Sequence, residues 1–314
     1  MAAIILASTE DMHHDEWLNW RKKGIGGSDA SVVFGINKYK SPVELFMEKT
    51  DMLTPTEVGE AAYWGNQLES VVKAEFTKRT GIEVFPVNKI LKSKEYPFML
   101  ANLDGVCKHP ELGTCVFEAK TASAYKADEW DEAVPMEYIL QVHHYMAVTG
   151  YAGAYIAVLI GGNTFKWTFL ERDEDLISTI VQREADFWER VESDIPPSLD
   201  GSEASAKFLN KRFPTAISQS KVQLPESAAE LITQYETARQ KAERYTEQKQ
   251  RAENLLKQML GDSAAGVIGN KVIGWTNVSQ ERFDSKAFKS ENSDLYKQYT
   301  NQSSHRRFTV KQAS

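Results

Sequence analysis

Hydrophobic and polar positions alternate with a β-type period through most of the stretch from residue 83 to 170, with one helical interruption. Runs at about 83–91 (EVFPVNKIL), 96–107, 114–121, 152–160 and 164–170 are read as strands, and Gly161-Gly162-Asn163 as the hairpin turn joining the last two. Between them, residues 136–149 follow a helical period. Tyr138, Val142, Tyr145 and Met146 form its core face, Gln141 lies next to that face, and Gly150 is the C-cap. Upstream, a helix over 57–80 carries an apolar stripe of Trp64, Leu68, Val71, Val72 and Phe76. Residues 12–50 begin with a Trp-rich helical pattern around Arg21, followed by glycines 24, 26 and 27. Ser28 is placed as the N-cap of a short helix running to about Phe34, and Ser41-Pro42 starts another helix. A further helix is expected at 173–193. Helix, three-stranded meander, helix, strand pair, helix predicts an α/β (α+β) core, a central mixed sheet flanked by helices.

Residues 196–224 contain Pro196, Pro197, Pro214 and several serines and read as a connector, which leaves 1–195 as the core. Residues 225–314 form a C-terminal extension expected to pack on that core. The extension opens with a long charged helix to Leu260, whose narrow stripe of Leu231, Tyr235, Ala238, Ala242, Tyr245, Ala252 and Leu256 packs on one side only. That helix is where subunit or partner contacts are expected. A strand pair at about 264–283, a helical stretch near 284–299 and a cationic tail follow. The tail, with His305, Arg306, Arg307 and Lys311, is read as a last strand that could contact phosphate.

A chain of 314 residues that is 42% hydrophobic can bury a substantial core plus an extension. Its net charge of −7 argues against wholesale coating of DNA, though a local patch could still bind nucleic acid. Cys107 and Cys115 lie on adjacent expected strands and read as reduced core residues. No apolar run approaches a membrane span, and the N-terminal MAAIILASTE is too short for a secretory signal, so a soluble intracellular protein without membrane association is expected. No zinc-type Cys/His spacing, phosphate-binding GxxxxGK[ST] loop or internal repeat is found.

Candidate chemistry concentrates between Asp104 and Lys120. Strand alternation turns Glu118 and Lys120 to one face and Phe117 and Ala119 to the other, with Asp104 ending the neighbouring strand beside Gly105. Two converging carboxylates suit a hard divalent cation, and a lysine beside them suits hydrolysis of a phosphodiester. The same spacing also fits a salt bridge on the wet face of a hairpin. Glu69 could reach such a metal or simply pair with Lys73 one turn on. Gln141 could hold a water or the lysine through its amide. Arg21 and Ser28 could take a phosphate at a helix N-terminus, or form a capped turn with a surface arginine. His143 and His144 point about 100° apart, which rules out an i,i+4 metal pair. They read as polar surface or DNA-contact residues.

Several separated pieces carry a resemblance: WLNWRKKGIGGSDA, WGNQLE, ANLDG, VFEAKT and QVHHYMAVTG, in that order across about residues 14–195. The chain resembles the YqaJ-type viral recombinase family, close in kind to the lambda phage exonuclease and within the PD-(D/E)XK nuclease superfamily. The resemblance implies a nuclease core in which Asp104, Glu118 and the Ala119 carbonyl are metal ligands. It implies that Lys120 positions the nucleophilic water, that Glu69 serves a second metal position, and that Gln141 is the first glutamine of a QxQ helix. His143 stands where that motif often has its second glutamine. Arg21 and Ser28 match the pair that holds a 5′-terminal phosphate. The implied activity is Mg²⁺-dependent 5′-to-3′ exonuclease action on double-stranded DNA ends, with Mn²⁺ able to substitute, leaving 3′ single strands. The implied partner is a single-strand annealing protein, the implied assembly a ring-shaped homo-oligomer, and the setting the cytoplasm of a bacterial host, phage or prophage encoded. An endonuclease on the same core and a non-cleaving DNA-binding scaffold are the alternatives.

Overall fold

The computed structural model describes residues 3–53, 59–217, 220–301 and 305–311. The chain divides into two compact units, Met1–Arg212 and Phe213–Ser314.

The first unit begins with β1 (Ala3–Ser8), α1 (His14–Arg21), β2 (Ile25–Gly26), α2 (Gly27–Val33) and α3 (Pro42–Lys49). After α4 (Glu60–Thr80) come β3 (Val84–Phe85), β4 (Lys89–Ser93), β5 (Met99–Ala101), β6 (Gly105–His109) and β7 (Gly113–Ala122). A 3₁₀ turn (Ala124–Trp130), α5 (Met136–Thr149), the hairpin β8 (Gly153–Ile160) and β9 (Thr164–Glu171), α6 (Glu174–Glu192) and α7 (Glu203–Arg212) complete it. Helix α7 lies inside the stretch read as a connector, and its Phe208 joins Phe46 and Phe187 in a buried cluster.

The expected mixed sheet flanked by helices is present, but the strands are shared between two sheets. One has the order β3-β6-β7-β8-β9 and the other β1-β4-β5-β2. The strand expected at 83–91 is two strands in different sheets. Pro86 sits between them with no N–H to donate to a ladder, so pairing stops there. The strand expected at 96–107 likewise divides into β5 and β6, and Asp104 occupies the passage from one sheet to the other. The N-terminal apolar stretch, set aside on the sequence only as too short for a signal, is edge strand β1 paired with β4.

Strand β7 pairs antiparallel with β6 and parallel with β8, and α5 makes the crossover between β7 and β8. All positions from Leu140 to Thr149 of α5 are buried, so the helix is a central core element and not an amphipathic cover. His143 and His144 are therefore buried, which corrects their reading as surface residues. The His143 Nδ1 lies 2.8 Å from the Ile139 carbonyl. The His144 Nδ1 faces the Glu184 carboxylate at 2.8 and 2.9 Å, and its Nε2 faces the Leu100 carbonyl at 2.8 Å. Both ring nitrogens of His144 face oxygens, and the Glu184 carboxylate and the Leu100 carbonyl raise the imidazole against the pull of burial, while burial raises the Glu184 carboxyl in turn.

Helix α4 buries Val72 and Phe76, and Phe76 packs its ring on Phe117 and Tyr155. Trp64 and Val71, expected in the same stripe, are 55% and 51% exposed: Trp64 lies in the early turns of the helix, where no residue is buried, and Val71 points about 100° away from the buried Val72. Gly26, not Ser28, caps α2, and Asp29 in the first turn accepts the Gly26 N–H at 3.0 Å. Gly27 lies against Tyr145, where a Cβ would fall 2.4 Å from the ring. Gly27→Ala should overpack this junction and cost about 1–3 kcal/mol, read as a lower urea midpoint.

The second unit contains α8 (Ala228–Leu260), the hairpin β10 (Ala265–Ile268) and β11 (Lys271–Gly274), α9 (Ser285–Glu291) and α10 (Ser293–Gln298). Residues 305–311 form no strand, contrary to expectation. Arg306 there donates to the Phe213 carbonyl at 3.4 Å, and Phe308 meets Tyr235 edge-on.

Candidate active site

Strand β7 delivers Glu118 and Lys120 to one face, two residues apart, as its pleat requires. Lys120 Nζ donates to Glu118 Oε1 at 2.6 Å and to Gln141 Oε1 at 3.0 Å. Gln141, from α5, donates through Nε2 to the same Glu118 oxygen at 2.6 Å and to the Tyr145 hydroxyl oxygen at 3.1 Å. Asp104 is fixed from the other side, its Oδ2 accepting the Ala119 N–H at 2.8 Å. Asp104, Glu118, Lys120 and Gln141 thus meet in one pocket, and the wet-face salt bridge is excluded because Glu118 is 2% exposed.

The electrostatics of this cluster are unbalanced. Burial pushes the Asp104 carboxyl well above the usual carboxylate range; the Glu118 charge adds to this, Lys120 opposes it, and Glu69 adds again. Burial also pushes Glu118 up, against the pull of Lys120. Burial alone would lower Lys120, but Glu118 and Asp104 outweigh it and raise the lysine, so it stays an ammonium. Glu118 Oε2 is buried with no hydrogen-bond partner. Such an oxygen beside a second crowded carboxylate is the kind of deficit a divalent cation removes. Among the described residues no three His, Cys, Asp or Glu side chains form a metal-holding group by themselves. A cation here would rest on two carboxylates, a main-chain carbonyl and water, a set that Mg²⁺ accepts.

Glu69 takes the surface-pair reading in this structure. It forms the i,i+4 ion pair with Lys73, and its charge still reaches Asp104 and Glu118.

Arg21 and Ser28 also come together, at the end of α1 and the start of α2. Arg21 Nη2 reaches Ser28 Oγ at 3.1 Å and Asp29 Oδ1 at 2.7 Å, and both of these bonds use the same nitrogen. Asp29 and Lys49 were missed by the sequence reading. Lys49, almost wholly buried, donates to Asp29 Oδ2 at 2.8 Å and to the Arg21 carbonyl at 2.7 Å. Burial would raise Asp29, but Arg21, Lys49 and Lys40 overcome it and hold the carboxyl far below the usual range. Two cations and one carboxylate leave this cluster with a net positive charge, while Ser28 and part of Arg21 face solvent. The available signal was an acid in the first turn of a glycine-led helix.

Tyr145, read from the sequence only as a core-face position, also touches the site. It is buried, packs on Gly27, and accepts from Gln141. Burial holds its hydroxyl well above its ordinary value, with Glu118 and Asp104 adding and Arg21 opposing. It therefore stands between the carboxylate pocket and the Arg21 cluster. Tyr145→Phe should free one Gln141 bond and slow turnover more than it weakens substrate binding, seen as a fall in kcat at nearly constant KM.

Comparison with known proteins adds to this geometry. Two solved exonucleases are similar to the chain at low identity. The alkaline exonuclease of Laribacter hongkongensis is 20% identical, with 64% of this chain and 98% of that one covered and a TM-score of 0.46. A phage-related exonuclease from Haemophilus somnus 129PT is 13% identical, with 57% and 99% covered and a TM-score of 0.44. The model of the YqaJ-like viral recombinase domain matches residues 16–152, a span that contains Arg21, Ser28, Glu69, Asp104, Glu118, Lys120 and Gln141. The uncharacterized protein YqaJ of Bacillus subtilis (strain 168) is 40% identical over 317 residues, covering 99% of this chain and 98% of that protein. An identity of that size sustained from end to end makes the chain a member of the YqaJ family.

Proposed function

We propose that this chain is a divalent-cation-dependent nuclease that resects double-stranded DNA from 5′ ends and leaves 3′ single strands for a single-strand annealing protein. The observation that carries the reading is the buried Asp104–Glu118–Lys120–Gln141 cluster with its unpaired Glu118 oxygen. Asp104, Glu118 and the Ala119 carbonyl, with Glu69 toward a second position, would hold Mg²⁺ (or Mn²⁺), which supplies charge to activate water and stabilise the leaving 3′ oxygen. Lys120 stays protonated and is held by Glu118 and Gln141, so one of its N–H donors can orient the attacking water and neutralise the phosphate. Arg21 and Ser28 take the terminal 5′ phosphate, and Asp29 and Lys49 fix the guanidinium that does so. Tyr145 keeps the two groups at a set spacing, which favours release of one nucleotide at a time.

Linear duplex labelled at either end, digested with and without Mg²⁺, tests this directly: label at the 5′ terminus should leave first and only with the cation. A 5′-phosphorylated end should be preferred over a 5′-hydroxyl end, and Arg21→Ala should erase about 10- to 100-fold of that preference, the worth of a charged hydrogen bond. Rapid cutting of closed circular DNA would identify an endonuclease instead, and binding without any cleavage a scaffold.

A further inference from the structure

Helix α8 repeats apolar and small side chains at alternating spacings of four and three from Ala228 to Met259, interrupted only by Lys249. A four–three alternation kept through a 33-residue helix is the seam of a coiled coil. Within the described residues that seam is left in water. No residue of α8 is buried, and Leu231, Tyr245 and Met259 are 65%, 67% and 81% exposed. Phe308 touches Tyr235 but leaves it 40% exposed.

We propose that α8 pairs antiparallel, about a two-fold axis, with α8 of a second copy of this chain. The side-chain sizes select this arrangement. In one antiparallel register Leu231 faces Leu256, Tyr235 faces Ala252, Tyr245 faces Ala242, and Lys249 lays its stem over Ala238. Each bulky ring then meets a methyl group, and the two lysines stay apart. A parallel pair would set every layer against itself, tyrosine on tyrosine, alanine on alanine and lysine on lysine, which alternates clashes with voids. Charge selects the same direction. From Ser227 to Ala238 the helix carries Glu230 and Glu236 and no cation, whereas from Lys249 to Leu260 it carries Lys249, Arg251 and Lys257 against Glu253. Antiparallel pairing brings the acidic third of one copy onto the basic third of the other and opposes the helix dipoles. The contact is isologous, so it closes at two copies. The argument is independent of the nuclease reading.

Full-length Leu231→Cys and Leu256→Cys variants test the pairing, since the native Cys107 and Cys115 are buried and remote in sequence from the seam. Each variant alone, oxidised with diamide, should give no covalent dimer; the two mixed and exchanged before oxidation should give one. In parallel, Ala242→Glu should halve the mass measured by sedimentation relative to the parent chain. Covalent dimer from either variant alone, none from the mixture, or an unchanged mass for Ala242→Glu would overturn the pairing.

Discussion

Replacing Lys120 with alanine is expected to slow digestion of linear duplex by about 10²- to 10⁴-fold while DNA binding persists. The ammonium has two ties, to Glu118 and Gln141, and both belong to the same pocket. Removing it takes away the group that can orient water against the phosphate. It also removes the charge that counters burial at Glu118 and Asp104, so both carboxyls should be harder to ionise. Gln141 can still donate to Glu118 in the variant, which keeps the pocket assembled. Measured rates and binding isotherms for the two proteins separate chemistry from affinity. Digestion at the parent rate would remove Lys120 from the mechanism and leave the two acids without their cation partner.

The second large effect belongs to stability. Glu184→Ala should cost about 3–5 kcal/mol, because it strands a buried imidazolium. Burial alone would lower His144, yet the Glu184 carboxylate and the Leu100 carbonyl hold it above its ordinary value. The stabilisation from this pair is therefore fully present below the unfolded-state value of about 6.5 and is lost as pH rises through the higher folded value. Urea midpoints of the parent chain should fall as pH rises above about 6.5. Glu184→Gln, which can accept one bond but carries no charge, should recover part of the loss and flatten that pH dependence. A midpoint that is flat with pH in the parent would show that the ring is neutral.

The pocket was legible because its logic is local. A glycine after Asp104 and an acid and a lysine two positions apart on a strand fix faces by the pleat alone. Gln141 was legible for a similar reason, since the helical period puts it beside a core face. The division into two sheets was not. Alternation runs almost unbroken through 83–91 and 96–107, and only the missing N–H of Pro86 marks the first break. His144 was misread because its partners are far away in sequence, the carboxylate 40 positions on and the carbonyl 44 positions back. Asp29 and Lys49 were passed over because a buried pair reads, residue by residue, like surface charge. Trp64 failed in the opposite sense, since a periodic stripe says which side of a helix is apolar and not how much of it the core reaches; Val71 failed because it sits one step round the helix from the buried Val72.

The two thiols on the face of the β6–β7 hairpin opposite Glu118 have a practical consequence. Cys107 and Cys115 are directly paired across β6 and β7, and burial pushes the Cys107 thiol up to about 12. Neither can react with an alkylating probe while the strands stay closed, so labelling rate at these sites is a clock for breathing of the hairpin that carries Glu118. Cation binding in that pocket should slow the clock, giving a readout of occupancy that needs no DNA and no turnover.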